Sequence, residues 1–180
     1  SSAASDVYKR QHGLIDTFIN AGNIALDLRD KGLKKTIKED NTPVTNGDLE
    51  VNKIITNKIK EITPEIPIVS EEVSDNKNIE NLSTFWLIDP IDGTYDYLNN
   101  RDEFTLNAGL IIDKKPEAAI INAPAKKRLF YTFGMNNSFE INHKKEIKLD
   151  SGLSSKNNEL LALVYSDNIK DEIKDIHNKY

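Results

Sequence analysis

The segment 89–94 reads DPIDGT and carries the residue types best suited to chemistry in this chain. Carboxylate oxygens such as those of Asp89 and Asp92 are preferred ligands of hard divalent cations. The glycine and threonine that follow are typical of a helix start, where unpaired backbone N–H groups attract anions. The pattern therefore predicts that a metal ion and a phosphate group meet at one turn. The simpler alternative is an Asx-type turn that closes a strand.

Two further acidic positions could contribute to the same site. Glu71 and Glu72 follow the apolar residues 68–70, and Asp48 stands three positions after Thr45. Taken singly, each has an ordinary explanation, because glutamates are usually solvated and Asp48 completes a capping box with Thr45. Two acidic clusters at strand ends and an aspartate at a helix start together favour a cation site.

The spacing of the central aspartates separates two kinds of phosphate chemistry. Enzymes of the haloacid dehalogenase type carry Asp-x-Asp-Gly-Thr, in which the first aspartate is phosphorylated. Asp89 and Asp92 are three positions apart, which favours metal ligands over a nucleophile. The chain has no Gly-x-x-x-x-Gly-Lys loop for a nucleoside triphosphate. The histidines His12, His143 and His177 are predicted to be surface residues.

Hydrophobic spacing predicts two helices before these acids. Apolar residues at helical intervals run from Leu14 to a stop near Gly32. The second helix begins at the capping box of Thr45 and Asp48 and ends at Pro64. Both helices have one apolar face and should pack on a sheet.

Strands are predicted between and after the acidic positions. Residues 68–70 and 85–88 read as buried strands, and Pro90 would stiffen the exit of the second so that its aspartates project from one turn. Three later segments, 106–112, 118–121 and 129–133, read as an antiparallel meander with a hairpin turn at 114–116.

The end of the chain changes pattern near Ser151. Residues 160–164 read as a strand, and 168–180 read as a helix. We therefore predict an α+β fold with an N-terminal subdomain at 12–150 and the start of a C-terminal α/β subdomain at 151–180.

Both ends read as unnatural boundaries. Residues 1–11, SSAASDVYKRQ, resemble a translated sequencing-adapter scar and are excluded from the fold prediction. The helix at 168–180 has an apolar face without an obvious partner layer in the chain. We expect the chain to be incomplete at both ends.

Composition narrows the class of protein. A chain of 180 residues can form one large or two small domains. The absence of cysteine excludes a disulfide framework and a thiolate metal site, and it favours a cytoplasmic protein. A formal charge of −5 argues against a nucleic-acid polymer as partner. No apolar run approaches the roughly 18 residues that a membrane span needs.

Three segments of the chain together resemble the lithium-sensitive, magnesium-dependent inositol monophosphatase superfamily. They are residues 43–48, 70–72 and 86–94. Within the matching region, residues 92–97 and 103–107 are more similar to the bacterial 3′(2′),5′-bisphosphate nucleotidases. The resemblance implies a layered α-β-α-β-α sandwich of the inositol monophosphatase and fructose-1,6-bisphosphatase type. It places the site between two halves, of which the C-terminal half is mostly missing here.

The resemblance implies a set of metal ligands. The carboxylates of Glu71, Asp89 and Asp92 and the backbone carbonyl of Ile91 would bind two or more Mg²⁺ ions, and the family's sensitivity to Li⁺ would carry over. Glu72 would support the ligands without binding the metal itself.

The resemblance also implies the catalytic groups. Asp48 and Thr94 match the pair that orients and deprotonates the attacking water. The backbone amides of Gly93 and Thr94 would hold the transferred phosphate. Paired metal ions lower the pKa of water and stabilise charge on the attacking and leaving oxygens. Retention of Asp48 and Thr94 favours an enzyme over a metal-binding relative without catalysis.

The implied reaction removes the 3′-phosphate of adenosine 3′,5′-bisphosphate, which gives AMP and clears a by-product of sulfate assimilation. The alternative is an inositol-1-phosphate or histidinol-phosphate phosphatase on the same fold. Partners would be a small phosphorylated substrate and a second copy, since homodimers are common in the family. Trp86 is the only tryptophan, so the family's later Trp-Asp ligand motif has no match. We expect the 180-residue chain to have little or no activity alone.

Two segments depart from the family pattern. Residues 133–143 lack the usual Gly-Ala pair of a family loop. Tyr95 and Tyr97 replace residues that are often basic and phenylalanine in the nucleotidases. We predict that both tyrosines pack the short helix that follows Gly93.

Overall fold

The computed structural model describes residues 2–38, 41–72, 81–134 and 137–149, with side chains from residue 13 onward. These residues belong to one compact unit, 1–149. The helices are α1 (Ser2–Lys31), α2 (Asn46–Ile62) and α3 (Thr94–Leu98). The strands are β1 (Lys35–Ile37), β2 (Pro43–Thr45), β3 (Ile68–Ser70), β4 (Phe85–Asp92), β5 (Thr105–Ile112), β6 (Lys115–Ala123), β7 (Arg128–Phe133), β8 (Ser138–Asn142) and β9 (Lys145–Leu149).

Helix α1 confirms the first predicted helix and its stop. It ends at Lys31, and Gly32 follows with φ +93°, a conformation that glycine adopts without strain. Phe18 and Ala25 on its apolar face are fully buried. The helix begins at Ser2 and therefore includes residues 2–11, whose origin as an adapter scar stays a prediction.

Helix α2 confirms the second predicted helix and its capping box. The Thr45 side chain accepts hydrogen bonds from the backbone of Gly47 and Asp48, while the Asp48 carboxylate accepts one from the Thr45 N–H. Val51 and Ile55, one turn apart, are fully buried. The cap therefore fixes where α2 starts, and its apolar face fixes how it packs.

Seven strands form one sheet in the order β3-β4-β5-β6-β7-β8-β9. Strand β3 runs parallel to β4, and each later pair is antiparallel. Helices α1 and α2 contact each other and pack on β6 and β4 respectively. The core lies between the helices and one face of the sheet, where Ile88, Leu106, Ile120 and Leu129 are buried. This arrangement confirms the predicted α+β class.

Strand β4 is longer than predicted, and the difference corrects the expected turn. The strand continues through Pro90 to Asp92, so the two aspartates do not project from a turn that follows it. The pairing with β5 shifts register between Asp89 and Asp92. A bulge of this kind accommodates proline inside a sheet and changes the direction of the neighbouring side chains. The ligand candidates therefore lie on an irregular strand end.

Three other features differ from the sequence prediction. The hairpin between β5 and β6 turns at Asp113 and Lys114, and β6 already begins at Lys115. Strands β8 and β9 extend the meander beyond the three segments that the sequence predicted. Strands β1 and β2 form a small separate sheet. No alternating apolar pattern in the sequence predicted this sheet, because β1 is exposed throughout. The strand predicted at 160–164 and the helix predicted at 168–180 lie outside the described residues.

Candidate metal and phosphate site

The ends of β3 and β4 bring Glu71 beside Asp89. Ser70 pairs with Ile88 in the parallel ladder, and the Glu71 N–H donates to the Ile88 carbonyl at 3.2 Å, one step beyond that pair. Neighbouring parallel strands end at the same edge of a sheet, so the residues that follow them lie side by side. Two acids distant in sequence are thereby held next to each other.

The surroundings of Asp89 disfavour its ionised form. Its Oδ1 atom is buried and accepts no hydrogen bond from the residues that the structure describes. Burial raises its pKa to about 7, and the neighbouring charges of Glu71 and Asp92 add to the effect. A buried carboxylate oxygen in this position can bind a cation, and leaving it without a partner costs free energy.

Asp92 occupies the exposed side of the bulge, and a residue of β5 holds it. Asn107 donates a hydrogen bond from Nδ2 to Asp92 Oδ2 at 3.3 Å. Asn107 Oδ1 is itself buried and accepts no hydrogen bond from the described residues. Sequence reasoning noted Asn107 only as part of a family motif and gave it no role.

Gly93 makes the sharp connection from β4 to α3. Its φ of +89° is strained for any other residue, and an added Cβ would lie 2.8 Å from the Glu103 carbonyl oxygen. The glycine therefore allows the chain to pass close to the segment that leads into β5. Helix α3 begins directly afterwards at Thr94, as predicted.

Asp48 and Thr94 meet, as the family resemblance implies. The Thr94 hydroxyl lies 3.3 Å from Asp48 Oδ1 and 3.1 Å from the Ile91 carbonyl oxygen. A hydroxyl has one hydrogen, so it donates to one of these acceptors at a time. Burial raises the pKa of Asp48, although hydrogen bonds from Thr45 and Thr94 oppose the rise. Asp48 thus serves as a cap and also faces the site.

Glu72 forms an ion pair with a lysine that also lies near Glu71. Lys38 Nζ lies 2.9 Å from Glu72 Oε1 and 3.7 Å from Glu71 Oε1. Burial raises the pKa of Glu72, while its hydrogen bond with Lys38 opposes the rise. Lys38 therefore balances part of the negative charge. Lys38 lies in a polar segment without a recognisable motif, so its sequence context did not predict these ion pairs.

Two buried contacts support the positions of these acids. Ser70 donates to Asn52 Oδ1 at 2.7 Å, which ties the end of β3 to α2. The Tyr97 hydroxyl donates to the Ala25 carbonyl at 2.6 Å, which ties α3 to α1. Tyr97 is fully buried, which confirms its predicted packing role, whereas Tyr95 is 65% exposed and its ring lies under the Arg101 guanidinium, 5.5 Å from the centroid. Asn52 and Ser70 were not predicted as supports.

The acidic side chains of this site offer oxygen donors of the kind that a divalent cation binds. No three carboxylate or imidazole side chains of the described residues lie close enough together to enclose a metal ion. Asp89 nevertheless interacts electrostatically with Glu71, Asp92 and Asp48, and one of its oxygens lacks a donor. Oxygen donors of this type are what Mg²⁺ prefers, and the cation would supply the positive partner that Asp89 lacks. The chemistry of these oxygen atoms therefore fits a divalent cation. Asp89 is the residue that interacts with all three of the other acids.

A family model for the inositol monophosphatase family matches residues 8–179. The chain belongs to the inositol monophosphatase family. The match confirms the resemblance inferred from the sequence motifs and extends it over most of the chain. No helix in the described part of the chain is long and apolar enough to cross a membrane.

Within this family, the chain is similar to proteins named 3′(2′),5′-bisphosphate nucleotidase CysQ. It is 33% identical over 145 residues to the protein of Aggregatibacter actinomycetemcomitans, which covers 79% of this chain and 54% of the relative. It is 39% identical over 98 residues to the protein of Haemophilus influenzae, which covers 53% of this chain and 36% of the relative. The chain thus spans about half the length of the curated relatives it matches.

Solved structures of the family share the fold. The structure of CysQ from Bacteroides thetaiotaomicron is 27% identical, with a TM-score of 0.54 over 72% of this chain and 47% of that one. The extragenic suppressor protein suhB from Bartonella henselae is 22% identical, with a TM-score of 0.64 over 72% of this chain and 51% of that one. An IMPase/NADP phosphatase solved with Mg²⁺ and phosphate gives 0.58 at 22% identity, over 66% of this chain and 45% of that one.

Proposed function

We propose that this chain carries the metal and phosphate site of a magnesium-dependent phosphomonoesterase. One observation carries the proposal: a buried Asp89 oxygen without a donor lies among acids that raise the pKa of its carboxyl group. This arrangement costs stability unless a cation neutralises it. The family relative solved with Mg²⁺ and phosphate supports the choice of cation and ligand.

The proposed ligands are the carboxylates of Glu71, Asp89 and Asp92 with the Ile91 carbonyl. When bound, Mg²⁺ lowers the pKa of water and stabilises the charge that develops on the phosphate oxygens. The chain fixes the ligands through the parallel pair of β3 and β4 and through the bulge of β4. Lys38 forms an ion pair with Glu72, and that carboxylate is proposed to support the site electrostatically without binding the metal itself.

Asp48 and Thr94 are proposed to move the proton. The Thr94 hydroxyl donates to Asp48 Oδ1, which leaves a lone pair on Thr94 Oγ1 to accept the hydrogen of the attacking water. As the water oxygen bonds to phosphorus and the bond between phosphorus and the substrate's ester oxygen breaks, the water proton passes to Thr94 Oγ1 and the Thr94 proton passes to Asp48. The leaving oxygen takes its proton from solvent. Burial raises the pKa of Asp48 and so makes it a stronger base. The Gly93 and Thr94 amides are proposed to hold the phosphate.

The proposed substrate is adenosine 3′,5′-bisphosphate, and the products are AMP and phosphate. The support is the similarity to relatives that are named 3′(2′),5′-bisphosphate nucleotidases. The family as a whole supports inositol 1-phosphate as the second candidate. The cytoplasmic location and the homodimer stay predictions.

A comparison of substrates tests the proposal. The product of the complete reading frame that contains these residues is incubated with Mg²⁺ and adenosine 3′,5′-bisphosphate, inositol 1-phosphate or histidinol phosphate, and phosphate release is measured. We expect the nucleotide to react fastest and the reaction to stop when EDTA removes the metal. Preference for inositol 1-phosphate would select the second candidate. Magnesium binding without turnover of any of the three substrates would refute phosphatase activity.

A further inference from the structure

Two buried oxygen atoms that have no donor among the described residues lie on neighbouring strands of the sheet. They are Asp89 Oδ1 on β4 and Asn107 Oδ1 on β5. Asp89 and Asn107 are direct partners in the antiparallel ladder, so their side chains leave the same face at neighbouring positions. Buried polar atoms in folded proteins normally have a partner. Two adjacent acceptors without one indicate a shared positive or donating partner.

The orientation of the Asn107 amide follows from its neighbour. Ionised Asp92 can only accept hydrogen bonds, so the Asn107 amide nitrogen must face Asp92 Oδ2, 3.3 Å away. The Asn107 amide oxygen then points away from Asp92 and is the atom left without a donor. Rotating the amide would place two acceptors against each other.

Other buried asparagines of the chain show what a structural role looks like. Asn122 on β6 donates to the Phe18 carbonyl at 2.7 Å and joins the sheet to α1. Asn52 on α2 accepts from Ser70 at 2.7 Å. Both of these residues join two elements, and neither has a buried oxygen without a partner in the described part of the chain. Asn107 differs because one end of its amide holds a proposed ligand and the other end is unused.

We propose that Asn107 is a positioning residue of the metal site. Its amide nitrogen holds the Asp92 carboxylate, and its amide oxygen accepts a hydrogen bond from the hydration shell of the divalent cation. This inference rests on the proposed function, because it requires that Asp89 and Asp92 bind a cation. It assigns a role to a residue outside the acidic motifs.

The experiment measures Mg²⁺ binding by the product of the complete reading frame that contains these residues, in a calorimetric titration. The Asn107→Leu variant keeps the branched shape of the side chain with a somewhat larger volume and removes both amide contacts. We expect its Mg²⁺ affinity to fall about tenfold, as for other residues that orient metal ligands. Its melting temperature without metal should stay level or rise, because an unsatisfied buried acceptor has been removed.

Asn122→Leu is the matched control. It removes the hydrogen bond to Phe18 and puts a bulkier group where Gly22 already lies close to the Asn122 amide. Its melting temperature should fall while its Mg²⁺ affinity stays within about twofold of the unmodified chain, since Asn122 pairs with Leu106 and its side chain leaves the opposite face of the sheet from Asn107. A structural role for Asn107 would make the two leucine variants behave alike.

Asn107→Asp separates the two halves of the proposed role. It keeps an oxygen toward the cation but loses the donor to Asp92, so it should bind Mg²⁺ more tightly than Asn107→Leu. Equal affinity of the unmodified chain and Asn107→Leu would overturn the inference, as would an Asn107→Asp variant that binds no better than Asn107→Leu. Absence of Mg²⁺ binding by the unmodified chain would instead refute the proposed function. If Asn107→Leu fails to fold, Asn107→Ala removes the same contacts without a bulky side chain and replaces it in every comparison.

Discussion

Asp48 and Asp89 are both aspartates of the same site, and the fold treats them in opposite ways. Asp48 is 1% exposed, yet hydrogen bonds from the Thr45 backbone, the Thr45 hydroxyl and Thr94 reach its two oxygens. Asp89 has a buried oxygen without a donor among the described residues and has three acids as electrostatic neighbours. One carboxylate is satisfied by the chain, whereas the other needs a ligand.

This difference matches the two proposed tasks. A group that moves a proton must keep its position whether or not metal is bound, and the cap of α2 gives Asp48 that fixed position. A metal ligand must prefer the cation to the protein, and a carboxylate already satisfied by N–H groups would bind a cation less tightly. The unsatisfied oxygen of Asp89 is therefore a requirement of binding rather than a fault in packing.

The largest expected effect comes from Asp89→Asn. Loss of the charge should abolish Mg²⁺-dependent phosphate release, at least about a thousandfold, because the shared ligand is lost. The same change should stabilise the metal-free chain at pH 8 by on the order of 1 kcal/mol, since it removes a partly screened repulsion among acids. Phosphate release and thermal melting check the two effects.

Asp113→Asn is the control for this prediction, because it removes one carboxylate in an exposed turn far along the sheet. It should change neither phosphate release nor melting. If Asp89→Asn released phosphate at the unmodified rate, the metal assignment would be wrong.

Asp48→Ala should lower both activity and stability, in contrast to Asp89→Asn. The variant loses the acceptor of two Thr45 hydrogen bonds and with it the reciprocal half of the capping box of α2. We expect a loss of about 1–3 kcal/mol in the free energy of unfolding, with and without Mg²⁺. Turnover should fall by about a hundredfold or more, because the proton acceptor is missing. Denaturant unfolding checks the stability, and unchanged stability would contradict the capping role.

Gly93→Ala tests the connection between the two regions. The added Cβ would lie 2.8 Å from the Glu103 carbonyl oxygen at a φ of +89°, so both strain and overlap oppose it. We expect a loss of about 2–4 kcal/mol in stability.

Gly134→Ala is the matched control, because Gly134 has φ +65° but no atom within 4 Å of an added Cβ. It should cost only about 1 kcal/mol, the conformational part alone. Equal losses in the two variants would show that close approach to Glu103 is unimportant.

Proton competition should make the Asp89 side of the comparison depend on pH. Burial, together with Glu71 and Asp92, raises the pKa of Asp89 to about 7 in the metal-free chain. Below that pH a cation must displace a proton, so Mg²⁺ affinity should fall about tenfold per pH unit and level off above about pH 7.

The stability of the metal-free chain should change with pH in the opposite direction. A raised carboxyl pKa means that the folded state binds more protons, so the stabilising contribution is complete below about pH 4 and is lost as pH rises to about 7. Calorimetry and melting at several pH values check both trends. Asp89→Asn should flatten both, and equal Mg²⁺ affinity at pH 6 and 7 would contradict the mechanism.

The same contrast explains how much the sequence could predict. The capping box of Thr45 and Asp48 is a local signal, and it appears in the structure as predicted. The ligand motif was also recognisable, but its backbone was not, because the path of β4 through Pro90 depends on pairing with β5. Lys38 and Asn107 were missed for a related reason. Their roles arise from residues distant in sequence, and neither has a local pattern that marks it.

The smallest expected effect belongs to Tyr97→Phe, which leaves both aspartates in place. The variant loses the hydrogen bond to the Ala25 carbonyl but keeps the buried ring that packs against Phe104, 4.8 Å away between centroids. We expect a loss of about 1 kcal/mol in the free energy of unfolding, the usual value for one buried hydrogen bond. Mg²⁺ affinity should not change.

Tyr95→Phe is the control, since the Tyr95 side chain is exposed and its hydroxyl makes no hydrogen bond among the described residues. It should leave the midpoint of denaturant unfolding unchanged. If Tyr97→Phe weakened Mg²⁺ binding as strongly as Asn107→Leu, the link from α3 to α1 would control the ligands directly. The metal side of the site would then depend on packing across the whole helical layer, and the contrast between a self-contained Asp48 and a ligand-dependent Asp89 would have to be abandoned.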